Sequence, residues 1–121
     1  MLVNMSGGKV EEITEVVDPV SLWTNPAPTS NWSNKTISLN GEGYSAYLIK
    51  LVGYVGQQNN YSIQYLPIDN TAHWLTALQE DLGSYYGSTR QFTASESSVA
   101  TSGGALTQCI PVQIWGVKFT L

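Results

Sequence analysis

The segment Cys109–Phe119 constrains the fold more than any other stretch of this chain. Ile110, Val112 and Ile114 alternate with Pro111 and Gln113, the two-residue period of a half-buried strand. Past Trp115-Gly116 the apolar set becomes Val117, Phe119 and Leu121. A one-residue slip of this kind would turn the apolar residues to the opposite face. A β-bulge at Trp115-Gly116, with glycine supplying the unusual backbone angles, would restore the phase. The segment is therefore expected to be a bulged core strand on which the whole fold depends.

The signals upstream are also those of strands. Val20–Thr24 is a short strand closed by Asn25-Pro26-Ala27-Pro28-Thr29-Ser30, where two prolines favour an extended loop. Lys35–Leu39 alternates with Ile37 and Leu39 inward. Asn40-Gly41-Glu42-Gly43 reads as a turn. Tyr44–Val52 is apolar on both faces, as a central strand of a sandwich would be. Gly53 to Asn60 reads as a strand end and a hairpin tip. Tyr61, Ile63 and Tyr65 then alternate with Ser62, Gln64 and Leu66, up to Pro67.

Residues 71–82 break this pattern. Trp74, Leu75, Leu78 and Leu82 follow a helical stripe, with Asn70 or Thr71 as its cap and Gly83 as its close. Glu80 and Asp81 lie at the end where a helix dipole disfavours them. Ser84–Ala94 and Ser97–Thr101 are two further strands, and Thr101-Ser102-Gly103-Gly104-Ala105 is a flexible turn. Short strands at this spacing predict an all-β domain, an antiparallel β-sandwich or jelly-roll-like fold, with one short helix over 71–82. Residues 1–19 form an N-terminal arm or linker, helical or extended and ended by Pro19, and residues 20–121 a single β-sandwich domain.

The length, 121 residues, suits one domain that buries roughly 65% of its unfolded surface. Only 12% of the residues are charged, about half the usual share. Ser, Thr, Asn, Gln and Gly fill the polar positions, which suits a member of a stable assembly or a protein exposed outside a cell. The net charge is -4 and the five basic residues are scattered, so no cationic track for nucleic acid is present. No segment approaches the ~20 apolar residues of a membrane span. The first residues lack the basic start and apolar run of a signal peptide. Cys109 is the only cysteine, which leaves no internal disulfide and no cysteine-based metal site, and a small buried residue is the simplest reading of it.

No catalytic constellation emerges. His73 is the one histidine and no nucleophile-elbow motif lies near it. It cannot assemble a metal site with scattered carboxylates. Asp69, Glu80, Asp81 and Glu96 sit where solvated loop acids are usual, and a glycosidase pair would need to flank a cleft. There is no Gly-x-Gly-x-x-Gly motif after a strand and no P-loop. The chain is read as non-enzymatic and without cofactors.

Aromatic residues are abundant instead, with four Trp and seven Tyr. Aromatic faces stack on sugar rings, while Asn and Gln supply planar partners for hydroxyls. The candidate ligand-binding residues are Trp32 in a polar loop, Asn59 and Asn60 at a hairpin tip, His73 and Trp74, and Tyr85 and Tyr86 between two glycines. Adjacent tyrosines point to opposite faces of a strand, so at most one of that pair packs in a core. Taken singly, each of these aromatics is read first as core or subunit-interface packing. Trp23 and Trp115, in the strands proper, are assigned to the core.

Leu22–Ser30, then Lys35–Leu39 and Tyr44, resembles the opening of small C-terminal β modules of bacteriophage and prophage virion proteins. Arg90-Gln91-Phe92 followed by Cys109–Lys118 resembles the matching close. The resemblance spans about residues 20–119 and is carried by the two ends; residues 53–88 show no family signature. It implies a non-enzymatic tail-fibre, baseplate or head-fibre protein located in the virion, commonly a homotrimer in contact with other virion proteins. Its expected role is either host-receptor binding, for instance of a bacterial surface polysaccharide, or purely structural head decoration or baseplate assembly.

Overall fold

The computed structural model describes the backbone of residues 3–6, 9–12 and 15–120, and the side chains at 18–80 and 82–119. The described residues form ten strands: β1 (Val3–Ser6), β2 (Lys9–Glu12), β3 (Glu15–Thr24), β4 (Thr36–Ser38), β5 (Ala46–Tyr54), β6 (Tyr61–Pro67), β7 (Ala72–Asp81), β8 (Ser84–Ala94), β9 (Ser98–Ser102) and β10 (Gln108–Thr120). β1 and β2 form a hairpin of their own. The other eight build two antiparallel four-stranded sheets, in the orders β3-β10-β5-β6 and β4-β9-β8-β7. The sheets pack together as a β-sandwich. The chain changes sheet between β3 and β4, β4 and β5, β6 and β7, and β9 and β10, so neither sheet forms from one contiguous segment.

β10 lies between β3 and β5, which makes the C-terminal segment a central strand. Its ladder with β5 runs unbroken from Gln113↔Lys50 to Val117↔Ala46, with a bulge only at Val112. The irregularities around Trp115-Gly116 appear in the ladder with β3, and the extra residues belong to β3: Leu22 in one place, Asp18-Pro19 opposite Val117 in the other. The expected bulge of β10 at Trp115-Gly116 is therefore replaced by bulges in its neighbour. Gly116 keeps the inward phase of Ile114, which leaves Val117 and Phe119 on the opposite face. A Cβ on Gly116 would lie 2.6 Å from the Tyr44 ring and 2.9 Å from Leu22, so these side chains fill the space its own would take. Trp115 faces outward beside Leu48 and is half-buried, not a core residue. Pro19 falls inside β3, at a bulge of an edge strand, where its missing N–H costs no ladder bond.

The expected helix over 71–82 is strand β7. Leu75, Ala77 and Gln79 are buried, while Trp74, Thr76 and Leu78 are exposed, a two-residue period. The helical stripe was misleading because three of its four members, Trp74, Leu78 and Leu82, lie outside the core. A polar residue, Gln79, holds one of the inward positions. Leu82 and Gly83 both have positive φ (49° and 82°) between the paired residues Asp81 and Ser84. They form the two-residue turn that joins β7 to β8. Asn70, expected as a helix cap, instead adopts φ 55° in the turn that leads into β7.

The core lies between the sheets and includes Tyr47, Ile49 and Leu51 from β5, Leu75 and Ala77 from β7, Phe92 from β8 and Ile114 from β10. At Gly53 the sheets approach so closely that a Cβ would lie 1.8 Å from the Leu78 carbonyl oxygen. Ser88 Oγ donates to the Gly53 carbonyl at 3.0 Å across the same gap.

Candidate functional site

The structure divides the sequence-predicted site residues among three places. Trp32 belongs to the core: it is 3% exposed, donates from Nε1 to Thr101 Oγ1 at 3.0 Å, and meets Trp23 edge-on with ring centroids 5.9 Å apart. Lys35 Nζ sits 4.4 Å from its ring centroid. Its loop is polar because the loop's other residues face water, and no ring face is open to a ligand.

Asn59, Asn60, Tyr85 and Tyr86 come together at one end of the sandwich. The link is Gln57, in the β5–β6 turn. Its side-chain amide donates to the Glu80 carbonyl at 2.6 Å and accepts from the Glu80 N–H at 2.9 Å. Asn60 Nδ2 donates to Gln57 Oε1 at 3.0 Å. Glu80 pairs with Tyr85 and Gln79 with Tyr86 across the β7–β8 ladder. Gln57 thus binds the tip of one hairpin to the flank of the other. Tyr85 is on the outer face and 61% exposed, while Tyr86 is on the inner face but extends past the covering sheet and remains 42% exposed. Beside Tyr86, the amide oxygen of buried Gln79 has no hydrogen-bond partner. The neutral amides and phenols at this end suit a neutral, hydroxyl-bearing ligand. Sequence reasoning missed Gln57, because nothing local marks a glutamine as a clasp between distant strands.

His73 and Trp74 lie at the other end of β7. Glu80 lies six positions beyond Trp74, about 20 Å of extended strand. Asp69 accepts from the His73 ring at 2.9 Å and from the Thr71 N–H at 3.0 Å. These bonds, the Thr71 N–H foremost, hold the Asp69 carboxyl below the usual carboxylate range. Trp74 lies over Gly103, where a Cβ would come within 2.8 Å of the indole, yet 59% of the residue stays exposed. A shallow cleft of about 280 Å³, lined by Val20, Glu42, Gly43, Tyr44 and Lys118, contains none of the candidates.

Arg90, one of the scattered cations, is 1% exposed on the inner face of β8. Nε donates to Cys109 O (3.0 Å), Nη1 to Asn34 Oδ1 (2.6 Å) and Gly103 O (2.9 Å), and Nη2 to Ala105 O (2.6 Å) and Gln108 O (2.8 Å). All five donors are used and no acceptor is a carboxylate. Burial pulls the guanidinium below its ordinary pKa. Arg90 ties the β9–β10 turn and Asn34 to the start of β10. Cys109, beside it, has φ 51°, and burial pushes its thiol up to about 11, so it is a protonated core residue at neutral pH.

No family model matches the chain, and no curated protein or solved structure shows significant similarity to it.

Proposed function

We propose that this chain is a binding module of a phage virion protein, and that the end formed by Asn59, Asn60, Tyr85 and Tyr86 binds a host-surface glycan. The terminal segments support the virion reading by their resemblance to phage β modules. The observation that carries the ligand reading is the Gln57 clasp, which sets exposed Asn59 and half-buried Asn60 beside two exposed tyrosines without a cation among them. Tyrosine rings provide the stacking surface and the Asn side chains meet hydroxyls through both donor and acceptor atoms. Trp74 and His73 are too far along β7 to share one small ligand with this end.

The test is binding of the protein to host cells or purified cell-wall polysaccharide. Tyr85→Ala should weaken binding by about 1–3 kcal/mol if the ring stacks on sugar, with the thermal midpoint nearly unchanged. Equal binding by Tyr85→Ala and Asn59→Ala, with no effect of either, would sink the site. A purely structural role in head or baseplate has one observation in its favour. Trp74 and Leu78 stand exposed on the outer face of the second sheet, as residues that meet a neighbouring virion subunit would.

A further inference from the structure

The two sheets have four edge strands, and three of them are blunted. β4 is three residues long, β3 carries Pro19 and two bulges, and the far end of β7 has both Glu80 backbone groups occupied by Gln57. β6 has only Pro67, at its last position. Between Tyr61 and Pro67 there is no Asp, Glu, Lys, Arg or His, and its ladder with β5 is regular throughout.

The orientation of its backbone follows from one bond. The Gly53 N–H donates to Asn60 O at 3.1 Å, so that pair is a hydrogen-bonded one. Alternation along the antiparallel ladder makes Leu51–Ser62, Ile49–Gln64 and Tyr47–Leu66 the bonded pairs. The amides and carbonyls of Tyr61, Ile63 and Tyr65 therefore point to the open edge. Their side chains are the outward ones as well, at 50%, 52% and 54% exposure. The same three residues thus present backbone groups with no partner among the described residues, and an exposed apolar stripe.

We infer that β6 pairs antiparallel with β6 of a second copy of this chain, about a two-fold axis at Gln64, merging two four-stranded sheets into one. Around that axis Ile63 meets Tyr65 of the other copy in a hydrogen-bonded pair, and Tyr61 donates to the carbonyl of the other Pro67. An isologous contact sets each position against one of the same strand, so a charge close to the axis would lie beside its own copy. The uncharged strand satisfies that demand, and the nearest cation, Lys50, is held 4.4 Å from the Tyr61 ring centroid. A partner strand bearing charges would find no counter-ion on this edge. The pairing does not use Tyr85 or Tyr86 and stands independently of the glycan reading.

Light scattering on the intact chain should give twice the 13.2 kDa chain mass, and Ile63→Lys should halve it without altering the circular dichroism. Residue-resolved hydrogen exchange on the unaltered protein provides a second reading. The amides of Tyr61, Ile63 and Tyr65 should slow with rising protein concentration, while those of Ser62, Gln64 and Leu66, already bonded to β5, should not change. A single-chain or three-chain mass, a dimer insensitive to Ile63→Lys, or fast exchange at the three edge amides in the dimer would each overturn the pairing.

Discussion

Arg90 carries no mark in the sequence that separates it from the surface lysines, yet its surroundings make it the most demanding residue of the core. Its five donors meet four main-chain carbonyls and Asn34 in a pattern only a planar guanidinium can serve. A lysine there keeps the charge but leaves several buried carbonyls without a donor. Arg90→Lys should therefore cost about 3 kcal/mol or more, read as a lower urea midpoint. Gly116 makes the opposite point. The sequence shows a phase change at this position, and the structure shows a vacant side-chain site filled by Tyr44.

At the scale of elements, the β7–β8 hairpin shows how far periodicity reaches. The limits of β6 and β8 are legible from alternation and punctuation, and coincide with the strands found, Tyr61–Pro67 and Ser84–Ala94. The type of β7 is not, because its large residues point outward and a glutamine points inward. Its turn places Leu82, 99% exposed, at φ 49°, a conformation an L-residue with a branched side chain adopts at a cost. Asparagine tolerates that region, and Asn-Gly is the favoured pair for such a turn. Leu82→Asn should raise stability by about 1 kcal/mol, measured as an upward shift of the denaturation midpoint. The hydrogen bonds of Gln57 to Glu80 then gain a more firmly held partner strand.

The whole molecule buries two weak acids whose titration links stability to alkaline pH. Tyr47, its hydroxyl donating to Ser95 O at 2.7 Å, is raised by burial from 10.0 to about 12. Cys109 is raised by burial from 9.0 to about 11. In both cases the folded value exceeds the unfolded one, so the unfolded chain releases its proton first. The stability these groups support is intact below pH 9 and falls as pH rises toward 12. Urea midpoints measured across that window should decline, and Cys109→Ala should delay the onset of the decline to the Tyr47 range. A midpoint independent of pH up to 12 would contradict this.

By itself the sequence determined that the chain is a β-sandwich domain apart from the type of β7, that its C-terminal segment is a core strand, and where most strands begin and end. Alternation of side chains, glycine and proline are local properties, and local rules read them. Tertiary structure alone decided which face of each strand is covered. Periodicity groups Tyr61, Ile63 and Tyr65 on one face but is silent on whether another sheet lies over it. Tertiary structure also sorted the candidate site, burying Trp32, joining Asn59 and Asn60 to Tyr85 and Tyr86, and separating them from His73 and Trp74. Those outcomes depend on contacts between residues far apart in the chain, Gln57 with Glu80 above all, and no local pattern encodes them.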